Sequence, residues 1–241
     1  MKNVKISNTL RKILSEFGFY VIISDEIDYI DVGEDENSIT YIPIDKIDRL
    51  IEKGLDPWTN NRVSMKIGKF FNKVMLIEKA ELENLVNWYK TTYFTSKGDF
   101  DKIFQVVQGE DIRYWYNEKN YVTGGGSLNG SCMRGEGTQD RLDLYVENPQ
   151  ICKLLIMKSG DKLLSRSLMW TTDNGIYIDR PYTRWDKDQM LYKKYADFKK
   201  YHNYYERGKG IVLKAIARKS YTNPPYLDSF RMNSRTLTAN I

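Results

Sequence analysis

Two short turns in the second half of the chain constrain its fold more than any other feature. Ser159-Gly160-Asp161 and Asp173-Asn174-Gly175 separate three apolar runs, which are residues 153–157, 163–170 and 176–182. Glycine-containing turns between such runs are typical of β-hairpins. The pattern therefore predicts three consecutive antiparallel strands, which form the centre of a C-terminal core.

The first half of the chain predicts helices and short strands. Apolar residues at positions i, i+3, i+4 and i+7 indicate helices, and clusters of β-branched and aromatic residues indicate strands. The predicted helices are residues 8–17, 44–53, 63–74 and 78–93, and the predicted strands are residues 19–24, 29–32 and 38–42. A loop at residues 95–99 is the predicted boundary between the two halves.

Further elements are predicted around the three central strands. They are a strand at 103–107, a helix at 109–117, a glycine-rich loop at 124–137, a strand at 142–146, a helix at 186–201 and a strand at 211–217. The predicted fold is α+β, with a mixed, mostly antiparallel central sheet and flanking helices. The predicted domains are an N-terminal α+β portion (1–98), a core (99–220) and an extended C-terminal arm (221–241).

Composition favours a cytoplasmic protein that does not enter a membrane. Met1–Leu10 has no apolar core of a secretory signal, and no apolar run approaches the ~20 residues that span a bilayer. Cys132 and Cys152 are the only cysteines, and a reduced pair is the preferred interpretation.

Charge is distributed unevenly along the chain. Residues 1–61 hold seven Lys and Arg against twelve Asp and Glu, whereas residues 184–241 hold thirteen against five. Cations and aromatic rings alternate in the basic region, which would suit nucleic acid or an acidic partner. The alternative is a solvated helix whose aromatic residues face the core. The candidate contact residues are Lys193, Lys194, Lys199, Lys200, Tyr204 and Arg207.

Metal chemistry has little support in the sequence. One histidine and two cysteines cannot supply the four ligands of a structural zinc site. A magnesium site would need convergence of Asp173, Asp179, Asp186 and Asp188, but an ion pair between Asp179 and Arg180 is the simpler interpretation. No resident cofactor is predicted.

Cys132 is a candidate nucleophile, because it lies at the edge of the glycine-rich loop beside Arg134. A cationic neighbour lowers the pKa of a thiol, and the chain's one histidine, His202, would have to act as base. The alternative is that Cys132 is a small apolar residue that joins the loop to the core. The loop matches no phosphate-binding motif, and a flexible loop or lid is the preferred interpretation.

Residues 152–217 resemble GNAT-type N-acetyltransferases. Leu154–Met157, the Gly160-Asp161 turn and Leu163–Trp170 are similar to the central hairpin of that family, while Ile176–Asp179 and Met190–Tyr201 are similar to the strand and helix that follow. The resemblance implies a GNAT-like core in which acyl-CoA lies between two splayed strands. It also implies acetyl-CoA as cofactor.

The chain departs from that family where the family binds the cofactor pyrophosphate. Residues 181–186 contain no glycine, so the family's [RQ]-x-x-G-x-[GA] loop is missing. Under this alternative the catalytic acid or base would be Tyr182, Tyr177 or Asp179.

A second resemblance extends over the whole chain. Asp56–Trp58, Lys66–Phe70, Ser131–Arg134 and Asp179–Tyr182 are similar to patterns in uncharacterised proteins of tailed bacteriophages. This implies a viral accessory protein that acts by binding a host or virion protein. The alternatives are an acyl-CoA-dependent acetyltransferase and a nucleic-acid-binding protein, so the sequence leaves open whether the protein is an enzyme.

Overall fold

A computed structural model describes residues 1–19, 21–74 and 78–241. Within these ranges the chain is α+β and forms two compact units, Met1–Asp99 and Phe100–Ile241. Among the helices of the described ranges, none combines the length and the apolar character that crossing a bilayer requires.

The N-terminal unit is a small antiparallel sheet packed with helices. Its strands are β1 (Lys2–Asn3), β2 (Ile23–Ser24), β3 (Ile27–Val32), β4 (Ser38–Pro43) and β5 (Val63–Lys66), and its helices are α1 (Asn8–Glu16), α2 (Ile44–Glu52), α3 (Ile67–Val74) and α4 (Lys79–Lys97). The strands β3, β4 and β5 form one antiparallel sheet in the order 3-4-5, and β1 pairs with β2. One face of α1 is buried through Leu10, Ile13 and Leu14, as the helical spacing predicts.

Three elements of this unit differ from the sequence prediction. The predicted helix at 63–74 begins with a strand, because Val63–Lys66 pairs with the free edge of β4, from Tyr41 to Ser38. The predicted loop at 95–99 is the last turn of α4, which ends at Gly98 in the left-handed conformation. Of the predicted strand 19–24 only Ile23–Ser24 is a strand, and Tyr20 lies outside the described residues.

The C-terminal unit contains two sheets. Its strands are β6 (Gln105–Val107), β7 (Cys152–Ser159), β8 (Lys162–Thr172), β9 (Gly175–Ile178), β10 (Tyr182–Thr183), β11 (His202–Asn203), β12 (Val212–Ile216), β13 (Arg231–Asn233) and β14 (Thr236–Asn240), and its helices are α5 (Glu110–Tyr116), α6 (Asp143–Val146) and α7 (Gln189–Lys199). Short 3₁₀ helices connect several of them.

The larger sheet has the order β11-β9-β8-β7-β6, and β7, β8 and β9 form the two predicted hairpins. All neighbours are antiparallel except β9 and β11, which run parallel with α7 between them in the chain. Residues 179–181 interrupt the predicted strand 176–182. After the interruption, β10 pairs with β8 in a register that is shifted by one residue relative to the register of β9. At this irregularity, Asp179, Arg180 and Tyr182 line the same small cavity.

The predicted strand at 142–146 is helical. A 3₁₀ helix covers Glu136–Leu142 and α6 covers Asp143–Val146. Leu144, Tyr145 and Val146 are all buried, and a short run that is buried on every side shows no period that separates strand from helix. Arg113 of α5 also holds this turn by donating to the Gln139 carbonyl and to the Asp143 carboxylate.

The predicted C-terminal arm is wrong. The segment contains two strands: β14 pairs with β12, and β13 pairs with β14, so that the three form an antiparallel sheet. Leu237, Ala239 and Ile241 are buried in the core of the unit. Apolar residues at every second position are the signal of a half-buried strand. The sequence contains that signal in its last five residues.

Candidate functional site

The interruption between β9 and β10 creates a buried polar cluster in the C-terminal unit. We call it the polar centre and define it by Ser131, Arg166, Asp179, Arg180, Tyr182 and Asp228, which share one small cavity. Arg166 on β8 lies opposite Tyr182 on β10 in the sheet register. Asp228 comes from residues 217–230, which connect β12 to β13 without a helix or strand. We call residues 217–230 the covering segment.

Arg166 is the most deeply buried cation of this cluster, with 1% of its surface exposed. Its guanidinium lies 3.7 Å from the ring centroid of Tyr116 and 5.1 Å from that of Tyr182, which are cation–π distances. Its Nη2 donates to Ser131 Oγ at 2.8 Å, whereas its Nε has no hydrogen-bond partner among the described residues. It forms no ion pair with a carboxylate of the described chain.

Asp179 lies at the end of β9 and is 2% exposed. Its carboxylate accepts from the indole Nε1 of Trp170 at 3.1 Å, from the Arg180 amide at 2.7 Å and from the Ser229 hydroxyl. Burial raises the pKa of Asp179 to about 6, and the hydrogen bonds from Ser229 and Arg180 oppose that rise. A carboxyl with this pKa can hold or release a proton near neutral pH.

Tyr182 and Asp228 form the other wall of the polar centre. The Tyr182 hydroxyl lies 3.0 Å from each carboxylate oxygen of Asp228, and Arg180 Nη1 lies 3.5 Å from Oδ1. Burial raises the pKa of Asp228, while the Tyr182 hydroxyl, Arg180 and Arg166 oppose the rise. Burial also raises the pKa of Tyr182, which keeps its hydroxyl protonated.

The polar centre is closed. The free volume inside it is about 10 Å³, which is room for one water molecule. The structure therefore brings together Tyr182 and Asp179, two of the three predicted catalytic residues, but leaves no room for a substrate between them.

Cys132 does not belong to this cluster. Its neighbours Ser131 and Met133 are buried, but Cys132 itself is exposed, so it does not join the loop to the core. No hydrogen bond connects Cys132 with His202, whose Nδ1 lies 2.9 Å from Glu206 Oε2. Arg134 is engaged by Glu118 at 2.7 Å. The Cys132–His202 dyad that the sequence suggested is absent from the described chain.

The glycine-rich loop, which the sequence predicted to be a flexible loop or lid, is packed against the core. The Thr183 amide of β10 donates to Ser127 Oγ at 2.9 Å, and the Leu128 amide donates to the Thr183 carbonyl at 3.0 Å. Gly126 has φ +81, and a Cβ at this position would lie 2.2 Å from the Arg184 carbonyl oxygen. Only glycine fits this approach.

The basic residues predicted to bind nucleic acid or a partner lie on or just after α7. Lys193 pairs with Asp197 at 2.7 Å, and Lys199 lies 3.7 Å from Asp101. Lys194 and Lys200 are exposed, and Lys200 ends the helix in the left-handed conformation.

Arg207 and Tyr204 are directed toward the covering segment. The guanidinium of Arg207 lies 4.0 Å from the ring centroid of Tyr204, and its Nη2 donates to the Asp228 carbonyl at 3.2 Å. Two of the six predicted contact residues are thus engaged by carboxylates and two help to hold the covering segment.

The four aspartates considered for magnesium do not converge. Asp173 accepts from the Lys214 amide at 2.8 Å, and Asp179 lies in the polar centre. Asp188 is buried before α7, where burial raises its pKa to about 7. In the ranges that the structure describes, no three His, Cys, Asp or Glu side chains form a group that could hold a metal ion.

A second cavity lies in the N-terminal unit and has the opposite character. We call it the cationic cavity; it has a volume of about 440 Å³, is open to solvent, and is lined by Lys46, Arg49, Leu50, Lys53, Asn61, Arg62 and Val63. Four of these seven residues are cations and none is an acid. Lys46, Arg49 and Lys53 are exposed and form no ion pair with a described residue.

Arg62 is the fixed member of this cavity. Its Nε donates to Thr40 Oγ1, and its two terminal nitrogens donate to the carbonyls of Tyr29, Thr40 and Pro57 at 2.6–3.1 Å. Tyr29 has φ +50, at the irregular pairing between β3 and β4. Arg62 therefore contributes its charge to the cavity wall, whereas its hydrogen-bond donors are used within the fold.

Sequence reasoning missed Arg166, Asp228 and the whole cationic cavity. A signal existed for the cavity, since Lys46, Arg49 and Lys53 follow the helical spacing i, i+3, i+7 within a chain segment that is acidic overall. No local signal exists for Arg166, because one arginine among β-strand residues does not reveal that it is buried. No protein-family model matches the chain, and comparisons with curated proteins and with solved structures found no similar protein.

Proposed function

We propose that this protein is a binding protein and that its cationic cavity takes a phosphate-bearing ligand. The observation that carries the proposal is the convergence of four cations, without an acid, on an open cavity of about 440 Å³. Residues 1–61 carry a net negative charge, so the cavity is a local exception within its own segment.

The arrangement of the cations supports this proposal. Lys46, Arg49 and Lys53 lie on one face of α2 and at its C-terminal cap. Like charges at this spacing destabilise a helix by about 0.2–0.5 kcal/mol per pair. Lys53 gains some stabilisation from the C-terminal end of the helix dipole, but Lys46 lies near the other end. A bound anion would offset the remaining repulsion.

The size and lining of the cavity indicate the class of ligand. Pockets for small molecules and cofactors measure roughly 300–1,000 Å³ and combine apolar walls with a few polar groups. Here Leu50 and Val63 supply apolar surface, Asn61 supplies an amide, and the cations supply charge. A phosphate ester of nucleotide size matches this combination.

Calorimetric titration of the full chain with adenosine monophosphate tests the proposal, with adenosine as the ligand that lacks phosphate. We expect the nucleotide to bind and adenosine not to bind. In the variant Lys46→Glu/Lys53→Glu the affinity should fall about tenfold or more, because two attractive charges become repulsive. The matched control is Lys66→Glu/Lys69→Glu, which makes the same charge change at exposed positions outside the cavity. Equal losses in the two variants would refute a specific site.

An oligothymidylate of about eight nucleotides distinguishes a free nucleotide from a nucleic-acid strand. If three cations contact strand phosphates, the logarithm of the affinity should fall with the logarithm of salt concentration with a slope of roughly −2. Binding of the strand without the mononucleotide would identify nucleic acid as the ligand. The site would then differ from the one that the sequence predicted on α7.

An acyl-CoA-dependent acetyltransferase is the second candidate. The parallel pair β9 and β11, with α7 between them, agrees with the GNAT resemblance, and buried polar atoms without partners in the described chain lie nearby: Thr183 Oγ1, Asp188 Oδ2 and Asn203 Nδ2. Acyl-CoA would have to displace the hydrogen bonds that Ser127 and Leu128 make to β10. Acetyl-CoA at a hundred times its dissociation constant should raise Tm by roughly 5–10 °C. The absence of any shift would remove this candidate.

A host or virion protein partner, which the phage resemblance implies, stays a prediction. It is compatible with a binding role.

A further inference from the structure

Arg166 lacks a contacting counter-charge in a place where charge is costly. It is 1% exposed, its Nε has no partner in the described chain, and no described carboxylate pairs with it directly. Three tyrosine rings and the Ser131 hydroxyl surround it, and these groups are polar but uncharged. An uncompensated buried charge is costly, so a buried cation is normally accompanied by an anion.

Asp228 supplies that anion through Tyr182. The Tyr182 ring lies 5.1 Å from the Arg166 guanidinium, and its hydroxyl lies 3.0 Å from each Asp228 oxygen. Arg180 approaches the same carboxylate at 3.5 Å. Arg180 and the Tyr182 hydroxyl thus contact this carboxylate, and the charge of Arg166, which lies against the Tyr182 ring, stabilises it without contact. Arginine and hydroxyl donors are groups that bind carboxylates.

This carboxylate is on a segment without regular secondary structure. Asp228 belongs to the covering segment, fourteen residues between β12 and β13 without helix or strand. Phe230 anchors its end by packing on Trp170, while Tyr226 on the outer side is 61% exposed. The groups that receive the carboxylate lie in contrast on or next to the paired strands β8 and β10.

We propose that the polar centre is a binding site for a small carboxylate, and that Asp228 of the covering segment is its built-in occupant. The rigid part of the site is Arg166, Arg180 and Tyr182, and the Asp228 side chain fills the position that the carboxylate group of a ligand takes. The closed cavity of about 10 Å³ is the form with the internal occupant in place. A ligand that carries one carboxylate on a short chain competes with the covering segment for this position. This site is separate from the cationic cavity, so neither proposal depends on the other.

Chemical rescue of Asp228→Ala by acetate tests this inference. The variant removes the internal carboxylate and leaves its receiving groups in place. Acetate at ten times its dissociation constant should raise the Tm of this variant by about 3–6 °C relative to sodium chloride at equal ionic strength. The wild-type protein should show no such difference, because Asp228 occupies the site. If Asp228→Ala does not fold, Asp228→Ser provides a vacancy with a shorter polar side chain.

Two controls make the result decisive. Asp161→Ala removes an exposed carboxylate from a hairpin turn of the same unit and should gain nothing from acetate. Adding Arg180→Ala to Asp228→Ala should abolish most of the rescue, because one of the two cations is then missing. Equal shifts in all variants would reveal a general effect of the salt, and the absence of a shift in Asp228→Ala or Asp228→Ser would also overturn the proposal.

Discussion

The two cavities of this protein contain similar numbers of charged groups, but these groups differ in their exposure to solvent and in their pairing with opposite charges. In the cationic cavity, Lys46, Arg49 and Lys53 are exposed, no acid lines the wall, and the volume is about 440 Å³. In the polar centre, two arginines and two aspartates are gathered around about 10 Å³, and Arg166 is almost fully buried.

The difference distinguishes an open site, which can accept a ligand directly, from a site whose charges are already compensated by other groups of the protein. Exposed cations remain hydrated and cost the fold little, so they can remain without a partner until an anion arrives. Buried charges must be compensated within the fold, and the polar centre therefore contains its own carboxylates. Open space and unpaired charge favour binding at the first site, whereas the second must exchange a group before it can bind.

The largest expected effect is on the buried arginine. Arg166→Ala should lower the free energy of unfolding by about 3–5 kcal/mol, because it leaves a void in the core and removes one of the cations that stabilise the Asp228 carboxylate. Arg49→Ala should change it by less than about 0.5 kcal/mol, because Arg49 is exposed. Urea unfolding of both variants measures the contrast. Similar values for the two would mean that burial does not separate the two cavities energetically.

A second expectation concerns the packing of the glycine-rich loop against β10 and Arg184. Gly126→Ala should cost about 2 kcal/mol or more, because a methyl group would collide with the Arg184 carbonyl at a residue with positive φ. The neighbouring Gly125→Ala meets nothing within 4 Å and is the matched control. Thermal unfolding of the two variants gives the comparison, and an unchanged Tm for Gly126→Ala would mean that the loop is not packed.

The pH dependence of stability should sharpen the comparison further. The pKa of Asp179 is raised from 3.8 to about 6 in the folded state, so the folded state binds the proton more tightly than the unfolded chain. The resulting stabilisation is complete below pH 4 and is lost as the pH rises through 6. From pH 8 to pH 5 the free energy of unfolding should therefore gain roughly 1 kcal/mol from this group.

Asp179→Asn should remove that gain, and urea unfolding at the two pH values measures it. Asp161→Asn, at an exposed turn, is the control. An unchanged pH dependence in Asp179→Asn would assign the titration to other groups, of which Asp188, with a pKa of about 7, is the first to examine.

The smallest effect is expected when the cations of α2 are removed together. Lys46→Ala/Arg49→Ala/Lys53→Ala should change the unfolding free energy by no more than about 0.5 kcal/mol without ligand, since repulsion and the favourable dipole contact of Lys53 nearly cancel. The ligand-induced rise in Tm should vanish in the same variant. A large loss of stability without ligand would assign these side chains to the fold instead of to binding.

Several elements could be predicted because their signals are local. Ser7 caps α1 by accepting from the Leu10 amide, and the turns at Gly160 and Gly175, both with positive φ, join β7, β8 and β9 in the predicted order. Predictions were wrong where the same residue pattern is compatible with both a strand and a helix. The run from Leu142 to Val146 is mostly apolar and buried, shows no clear period and is helical.

The candidate sites show more clearly that local sequence patterns do not reveal which distant residues come together. Tyr182 and Asp179 were named in advance because the acetyltransferase resemblance would require a catalytic acid or base from this part of the chain. Arg166 and Asp228 are 62 positions apart in the chain, and only the pairing of β8 with β10 and the path of the covering segment bring them together. Pairing between distant segments depends on burial and on strand register, and the local sequence reveals neither of them.

The sequence by itself determined the α+β class, the central hairpins and the uneven distribution of charge, because helix period, turn chemistry and charge are properties of neighbouring residues. The tertiary structure alone decided which charges are buried and which face an open cavity. It turned the predicted C-terminal arm into a sheet and placed the carboxylate of Asp228 against Arg180 and Tyr182. The physical reason is that burial and long-range pairing set the energy of a charge, and both exist only after the chain has folded.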